Sequence, residues 1–303
     1  MTLAEWKKVF TLKTVEEGII ISKYKAKDIE IEIPSHIGNK RVFAIGNMAF
    51  KGKEIETIVI PDTVEIIGER AFCDCKKLKK VVLDKSVLID SVAFYGCDSL
   101  ADESGFVIVN HILFRYLGQE KNVAIPEGVI VIDEGAFERC RTIESVSIPA
   151  SVNTIKNAAF FSCRNLSAVK IENNKIAIHA GAFDACDKLT DADGHIVFGD
   201  YLYRCNTNQE RVIVPSVVNR IGGQSMSYST TVKCIVVPEG VTTIEACAFM
   251  SCASTLESVE LPCTVTSIHA QAFVLCNKLT ITAPKDSYAI VYAKEANIPY
   301  IEK

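Results

Sequence analysis

One frame returns nine times along this chain: an isoleucine, three variable residues, then Ala-Phe, usually followed by a cysteine and a leucine. The isoleucine always stands five places before the aromatic position. The pairs are Ile45/Phe50, Ile67/Phe72, Ile89/Phe94, Ile132/Phe137, Ile155/Phe160, Ile178/Phe183, Ile221/Met226, Ile244/Phe249 and Ile268/Phe273. Most steps are 22 to 24 residues. A fixed period of that size predicts a solenoid, in which each turn of chain buries its apolar face only against the next. A chain of 303 residues is long for one ordinary core, but the core of a solenoid is a line and escapes that limit.

Within a repeat, a Val-x-Ile strand such as Val146 to Ile148 ends at a proline, here Pro149. Proline has no N–H for a ladder, so it marks where the strand stops. It recurs as Pro34, Pro61, Pro126, Pro149, Pro215, Pro238 and Pro262. A second extended piece follows, then a short helical turn carrying Ala-Phe. Stacked repeats bring equivalent strands about 4.8 Å apart as a parallel sheet.

Two steps, Phe94 to Phe137 and Phe183 to Met226, are 43 residues long. Each carries a β-hairpin insert, near 101–121 and 190–211, with tight turns at Asn110-His111 and Gly199-Asp200. The inserts match at an offset of 89 residues: Asp102/Asp191, Gly105/Gly194, Leu113/Leu202, Arg115/Arg204, Pro126/Pro215. They are expected to act as full rungs. Residues 1–17 are expected as an N-terminal helical cap, with Trp6, Val9 and Phe10 inward. Residues 18–303 are expected as a single solenoid, closed by a cap over 285–303 with Asp286 or Ser287 as helix N-cap.

These residues resemble the BspA-like (Treponema-type) family of leucine-rich repeats. Its pattern, close to Leu-x-x-Val-x-Ile-Pro-x-x-Val-x-x-Ile-Gly-x-x-Ala-Phe-x-x-Cys, is followed by Thr142 to Cys163, and by Ile60-Pro61 to Cys75 with Gly68 in place. The tail at 287–295 is also similar to the family's closing element. The resemblance spans about residues 18–301 and implies an α/β-repeat, right-handed leucine-rich-repeat solenoid of mainly short parallel strands. It also implies a bacterial protein with a part in adhesion and host contact at the cell surface. No leader segment, anchor or transmembrane stretch is evident, which points instead to the cytoplasm.

The residues with chemistry to offer do not converge. Seven of twelve cysteines sit three places after the aromatic: Cys75, Cys97, Cys140, Cys163, Cys186, Cys252 and Cys276. They read as a column of small buried thiols, and their number favours a reducing setting. Cys73-Asp-Cys75 and Cys247-x4-Cys252 lack a second pair at zinc-ribbon spacing. His179 and His269 share a repeat position four repeats apart, too distant to hold one metal. No nucleophile elbow, zincin helix or phosphate loop appears. The expectation is therefore no catalytic residue, no metal and no cofactor. An enzyme would need a site the sequence does not display. A net charge of −4 is a poor footprint for nucleic acid.

The outward residue of each strand before proline is the more informative column: Val59, Val82, Ala124, Ser147, Lys170, Ile213, Val236 and Glu260. Val59, Val82 and Ala124 read as one apolar run, and Ile213 with Val236 as another. Exposed contiguous apolar area marks a partner site. The expected function is non-enzymatic binding of a protein or glycan by a chain that is a monomer or weak homodimer.

Overall fold

The computed structural model describes residues 1–84, 86–226, 230–252 and 254–303, and the backbone alone of Ser251. Two compact units are present. The first comprises Met1–Ile143, Pro149–Cys163 and Asn173–Ala185; the second comprises Glu144–Ile148, Arg164–Glu172 and Cys186–Lys303. Both are parallel β-solenoid in construction.

The frame isoleucines lie in two-residue strands stacked in parallel. In the first unit Ile45 pairs with Ile67, and Ile67 with Ile89. After the insert, Ile132 pairs with Ile155 and Ile155 with Ile178. In the second unit Ile221 pairs with Ile244 and Ile244 with Ile268. The repeat period sets this register, because a slip by one residue would turn each isoleucine out of the core.

The aromatic position forms a stacked file of rings. Tyr24, Phe50, Phe72 and Phe94 follow one another at centroid separations of 5.1, 5.0 and 5.0 Å. Phe137, Phe160 and Phe183 stack at 4.6 and 4.8 Å, as do Phe249 and Phe273 at 4.8 Å in the second unit. All but Phe273 in these stacks are at most 1% exposed, so each contributes about 1.5–3 kcal/mol from burial. Phe94 does not meet Phe137. The first hairpin inserts Phe114, edge-on to Phe94 at 5.4 Å, and Tyr116, which meets Phe137 at 5.1 Å.

The hairpins pair Phe106–Val109 with Ile112–Tyr116, and His195–Phe198 with Tyr201–Cys205. Only the second strand of each joins the parallel ladder, through Leu113 to Ile132 and Leu202 to Ile221. The inserts thus add one rung strand each; the other strand is an antiparallel edge. At the first turn, Asn110 and His111 both have positive φ, as a type I′ hairpin requires.

The expected short helical turns are hydrogen-bonded turns at Ala-Phe, followed by one-turn 3-10 helices at Asp98–Leu100, Asp187–Leu189 and Met250–Cys252, and none is an α-helix. Among the described residues the α-helices are Leu3–Val9 and Tyr288–Glu295. Backbone N–H groups in the Ala-Phe segment alternate between two destinations. Met48, Phe50 and Gly52 donate to Glu69, Ala71 and Cys73 of the next rung; Ala49, Lys51 and Lys53 donate three residues back within their own turn. That alternation needs a left-handed residue on each side of Ala-Phe. It is found at Arg70 and Asp74, φ 55° and 61°, around Ala71-Phe72. A helix would satisfy the same groups internally and leave nothing for the neighbouring rung.

The ends depart from expectation at one point. Helix Leu3–Val9 is capped by Thr2, whose Oγ1 accepts from Glu5 N while Glu5 caps Thr2 N in return. Phe10 is not part of it: Phe10–Thr14 is a strand antiparallel to Ile19–Tyr24. The 1–17 segment therefore is half helix and half sheet, because Phe10 packs its ring on Trp6, Tyr24 and Phe50. At the other end Ser287 is the N-cap residue of Tyr288–Glu295, and Tyr300–Glu302 adds a parallel strand to Thr280–Ala283.

Candidate functional site

The strand column follows from alternation: the middle residue of each strand before proline points inward and its two neighbours outward. In the first unit Glu32, Val59 and Val82 are in register. Val59 is half-buried and Val82 is exposed. The three-stranded sheet ends there. Ala124, exposed at the end of Asn122–Ala124, is outside it, so Val59, Val82 and Ala124 are not one apolar run. The hairpin breaks the column, because no strand of it pairs with Lys80–Val82.

In the second unit Ser147 pairs with Lys170, whose Nζ lies 2.9 Å from Glu172. Ile213, Val236 and Glu260 are in register, and the column continues through Thr282 to Ile301. Ile213 is 60% exposed and Ile301 55%. The Lys303 ammonium, 2.8 Å from Glu260, holds that carboxyl below its ordinary range. Glu32, Thr282 and Ile301 join the column in addition to the residues expected from sequence. The first two stand two places before Pro34 and Pro284, which was signal enough.

The turn face of the first unit carries a groove of about 600 Å³, walled by Lys51, Arg70, Asp74, Tyr95, Glu138 and Phe161. It lies where the turn file is interrupted by the insert. In three other repeats the left-handed residue before Ala-Phe donates to a carbonyl of the next rung: Met48 to Glu69, Ala158 to Gly181 and Cys247 to Gln271. Val92 has a carboxylate instead: its N–H donates to Asp133 Oδ2 at 2.7 Å. Asp133 is fully buried, and its Oδ1 lies 2.7 Å from Lys156 Nζ, which also donates to Ser91 Oγ at 2.7 Å. Asp133 replaces the missing carbonyl, and Lys156 neutralises it. Both stand where other repeats have Gly46, Gly68 or Gly222. The ion pair is a stitch across the gap.

Two further observations bound the chemistry. Among the described residues no three metal-ligating side chains cluster, and no helix is long and apolar enough to cross a membrane.

The model of the BspA type leucine rich repeat region matches residues 30–104, 107–194 and 196–292, in six copies. The chain belongs to that family. Solved structures similar to it are bacterial leucine-rich repeat proteins. One, from T. pallidum, is 29% identical over 61% of this chain and 89% of its own, with a TM-score of 0.43. A leucine rich cell surface protein from Faecalibacterium prausnitzii is 22% identical over 97% of this chain and 93% of its own, TM-score 0.43. One from Bacteroides ovatus is 26% identical over 90% and 69%, TM-score 0.43. No curated protein matches.

The repeat cysteine of this leucine-rich repeat chain has a defined contact. Cys75 Sγ donates to Phe50 O at 3.1 Å, Cys97 to Phe72 O at 3.1 Å and Cys163 to Phe137 O at 3.0 Å. Each thiol reaches the aromatic residue's carbonyl in the rung before. Burial pushes Cys205 and Cys252 up to about 12 and Cys276 to about 11, so these sulfurs stay protonated at neutral pH. None of the twelve cysteines is in a disulfide, and of them Cys263 is the exposed one.

Proposed function

We propose that this chain is a non-enzymatic binding scaffold whose strand face holds a protein partner. The observation that carries this reading is the column in the second unit. Ile213 is 60% exposed and is registered directly on Val236, with Arg211 and Cys234 beside them on the same outer face. Strands fixed by rung-to-rung hydrogen bonds need little ordering on contact, so apolar area there converts to affinity with a small entropic cost. Charged groups lie at the margin, Arg211 at one side and the Glu260–Lys303 pair further along.

The test is capture from an extract of the native cell with the full chain as bait. Ile213→Lys with Val236→Lys is expected to abolish capture and leave the melting temperature within a few degrees of wild type, since both are surface positions. Val59→Lys with Val82→Lys examines the first unit in the same way. Capture that survives protease treatment of the extract would mark the ligand as a glycan. Capture unchanged by both pairs would remove the strand face from consideration. The number of cysteines, twelve in one chain, favours a reducing compartment as the setting.

A further inference from the structure

The residue that follows each frame phenylalanine forms a further file on the turn face of the first unit. In order it reads Lys51, Cys73, Tyr95, Glu138 and Phe161, and all five line the groove of about 600 Å³. Two half-buried rings, Tyr95 and Phe161, thus stand on either side of the half-buried Glu138 in this file.

One glycine makes the space between them. The left-handed residue before Ala-Phe is Met48, Arg70, Val92 and Ala158 in other repeats of this unit, at φ 57°, 55°, 53° and 55°; in the repeat of Phe137 it is Gly135, at φ 71°. A Cβ at Gly135 would stand 3.5 Å from Tyr95 Cε2 and 3.6 Å from Glu138 Oε2. Both are ordinary contacts, so the backbone would accept a side chain, and that side chain would fill the gap between ring and carboxylate. A second recess, of about 330 Å³, shares Tyr95, Gly135 and Glu138 and adds Arg115, Gln119 and Arg139. The two make one elongated groove.

The groove is charged but balanced. Arg70 lies 3.2 Å from Glu69, Arg115 3.3 Å from Asp98 and Arg139 3.5 Å from Glu138. Tyr95 is held before any ligand arrives: the Arg115 guanidinium lies 5.2 Å from its ring centroid, and its hydroxyl donates to Glu138 Oε2 at 3.5 Å. Backbone donors in the walls are already used. Asp74 N–H donates to Tyr95 O, Tyr95 N–H to Val92 O, Glu138 N–H to Gly135 O and Phe161 N–H to Ala158 O. An extended peptide cannot join these groups as an added strand.

We propose that this groove binds a neutral oligosaccharide. A charged ligand would meet walls of its own sign or displace a partner from an existing ion pair. A sugar hydroxyl both donates and accepts. It bonds to Asp74 and Glu138 as donor and to Lys51 and Arg70 as acceptor, and it leaves the pairs in place. Hydrogen bonds to ionised groups are the stronger kind. The C–H face of a pyranose is apolar and lies flat on the rings of Tyr95 and Phe161. Each recess has a volume within the range of small-molecule sites, about 300–1,000 Å³, and their union takes more than one sugar ring. None of this rests on the strand face holding a protein.

The test is calorimetric titration of the full chain with maltotetraose, cellotetraose and mannotetraose, with hexaglutamate and hexalysine peptides as charged competitors for the same groove. At least one of the sugars is expected to bind with a dissociation constant of about 1 mM. Gly135→Met gives this repeat the residue of the first one, Met48, and is expected to weaken that sugar about tenfold with unchanged circular dichroism. Tyr95→Ala removes the ring and leaves the glycine in place; it is expected to weaken the sugar to a similar extent and carries the test even should Gly135→Met fold poorly. No heat from any of the sugars up to roughly 20 mM, wild-type affinity in Tyr95→Ala, or either peptide binding as tightly as the best sugar would each overturn the proposal.

Discussion

Replacing Lys156 by methionine isolates the stitch that carries the first unit across its insert. Asp133 has no exposure, and Lys156 Nζ at 2.7 Å is the cation paired with it. Methionine keeps the aliphatic stem and removes the charge, leaving a buried carboxylate held by the Val92 N–H. Breaking a buried pair from one side costs about 3–5 kcal/mol, because the remaining ion keeps its desolvation penalty without its partner. Lys156 is 22% exposed on its side chain, so water screens part of the pair, and the expected loss lies at the lower end, about 3 kcal/mol. Adding Asp133→Asn keeps an oxygen for Val92 N–H and removes the stranded charge. The double variant is therefore expected within about 1 kcal/mol of wild type. Urea unfolding of wild type, both single variants and the double variant gives the coupling energy directly. A loss below about 1 kcal/mol in Lys156→Met, or a double variant no better than that single one, would refute the argument that this pair matters through buried charge.

Leu275 is 64% exposed at φ 67°, a left-handed backbone with almost no packing to lose; Leu275→Asn is expected to raise stability by about 0.5–1 kcal/mol in the same assay. The buried thiols of Cys205 and Cys252 are raised to about 12 from 9.0. The unfolded chain ionises first, so stability is complete below pH 9 and falls as pH rises from there to about 12. Alanine at both positions is expected to flatten that part of the pH–stability curve; an unchanged slope would count against burial as the cause.

Much of the rung architecture was legible because equal spacing places equal residues opposite one another. Ile132, Ile155 and Ile178 could take no other register without exposing a whole face. The strand column was legible in its members but not in its continuity. Alternation gives the direction of a side chain and says nothing of whether the next strand pairs, as the break between Val82 and Ala124 shows. The non-helical turn was hidden, since Ala-Phe suits a helix locally and only the neighbouring rung's carbonyls make the left-handed residues worth their strain.

The period alone determined that the chain is a stack, which strands pair in parallel, and that cysteine and phenylalanine run in files. Tertiary structure decided what happens where the period fails. Asp133 and Lys156 meet Ser91 and Val92 across 41 to 65 residues of unlike sequence. His195 takes the place of Phe10 and Phe106 through hairpin register rather than shared letters. Repetition fixes contacts between like positions, because each copy solves the same burial problem. Contacts between unlike positions depend on how far a bulge or an insert displaces the backbone, and that distance is set in space.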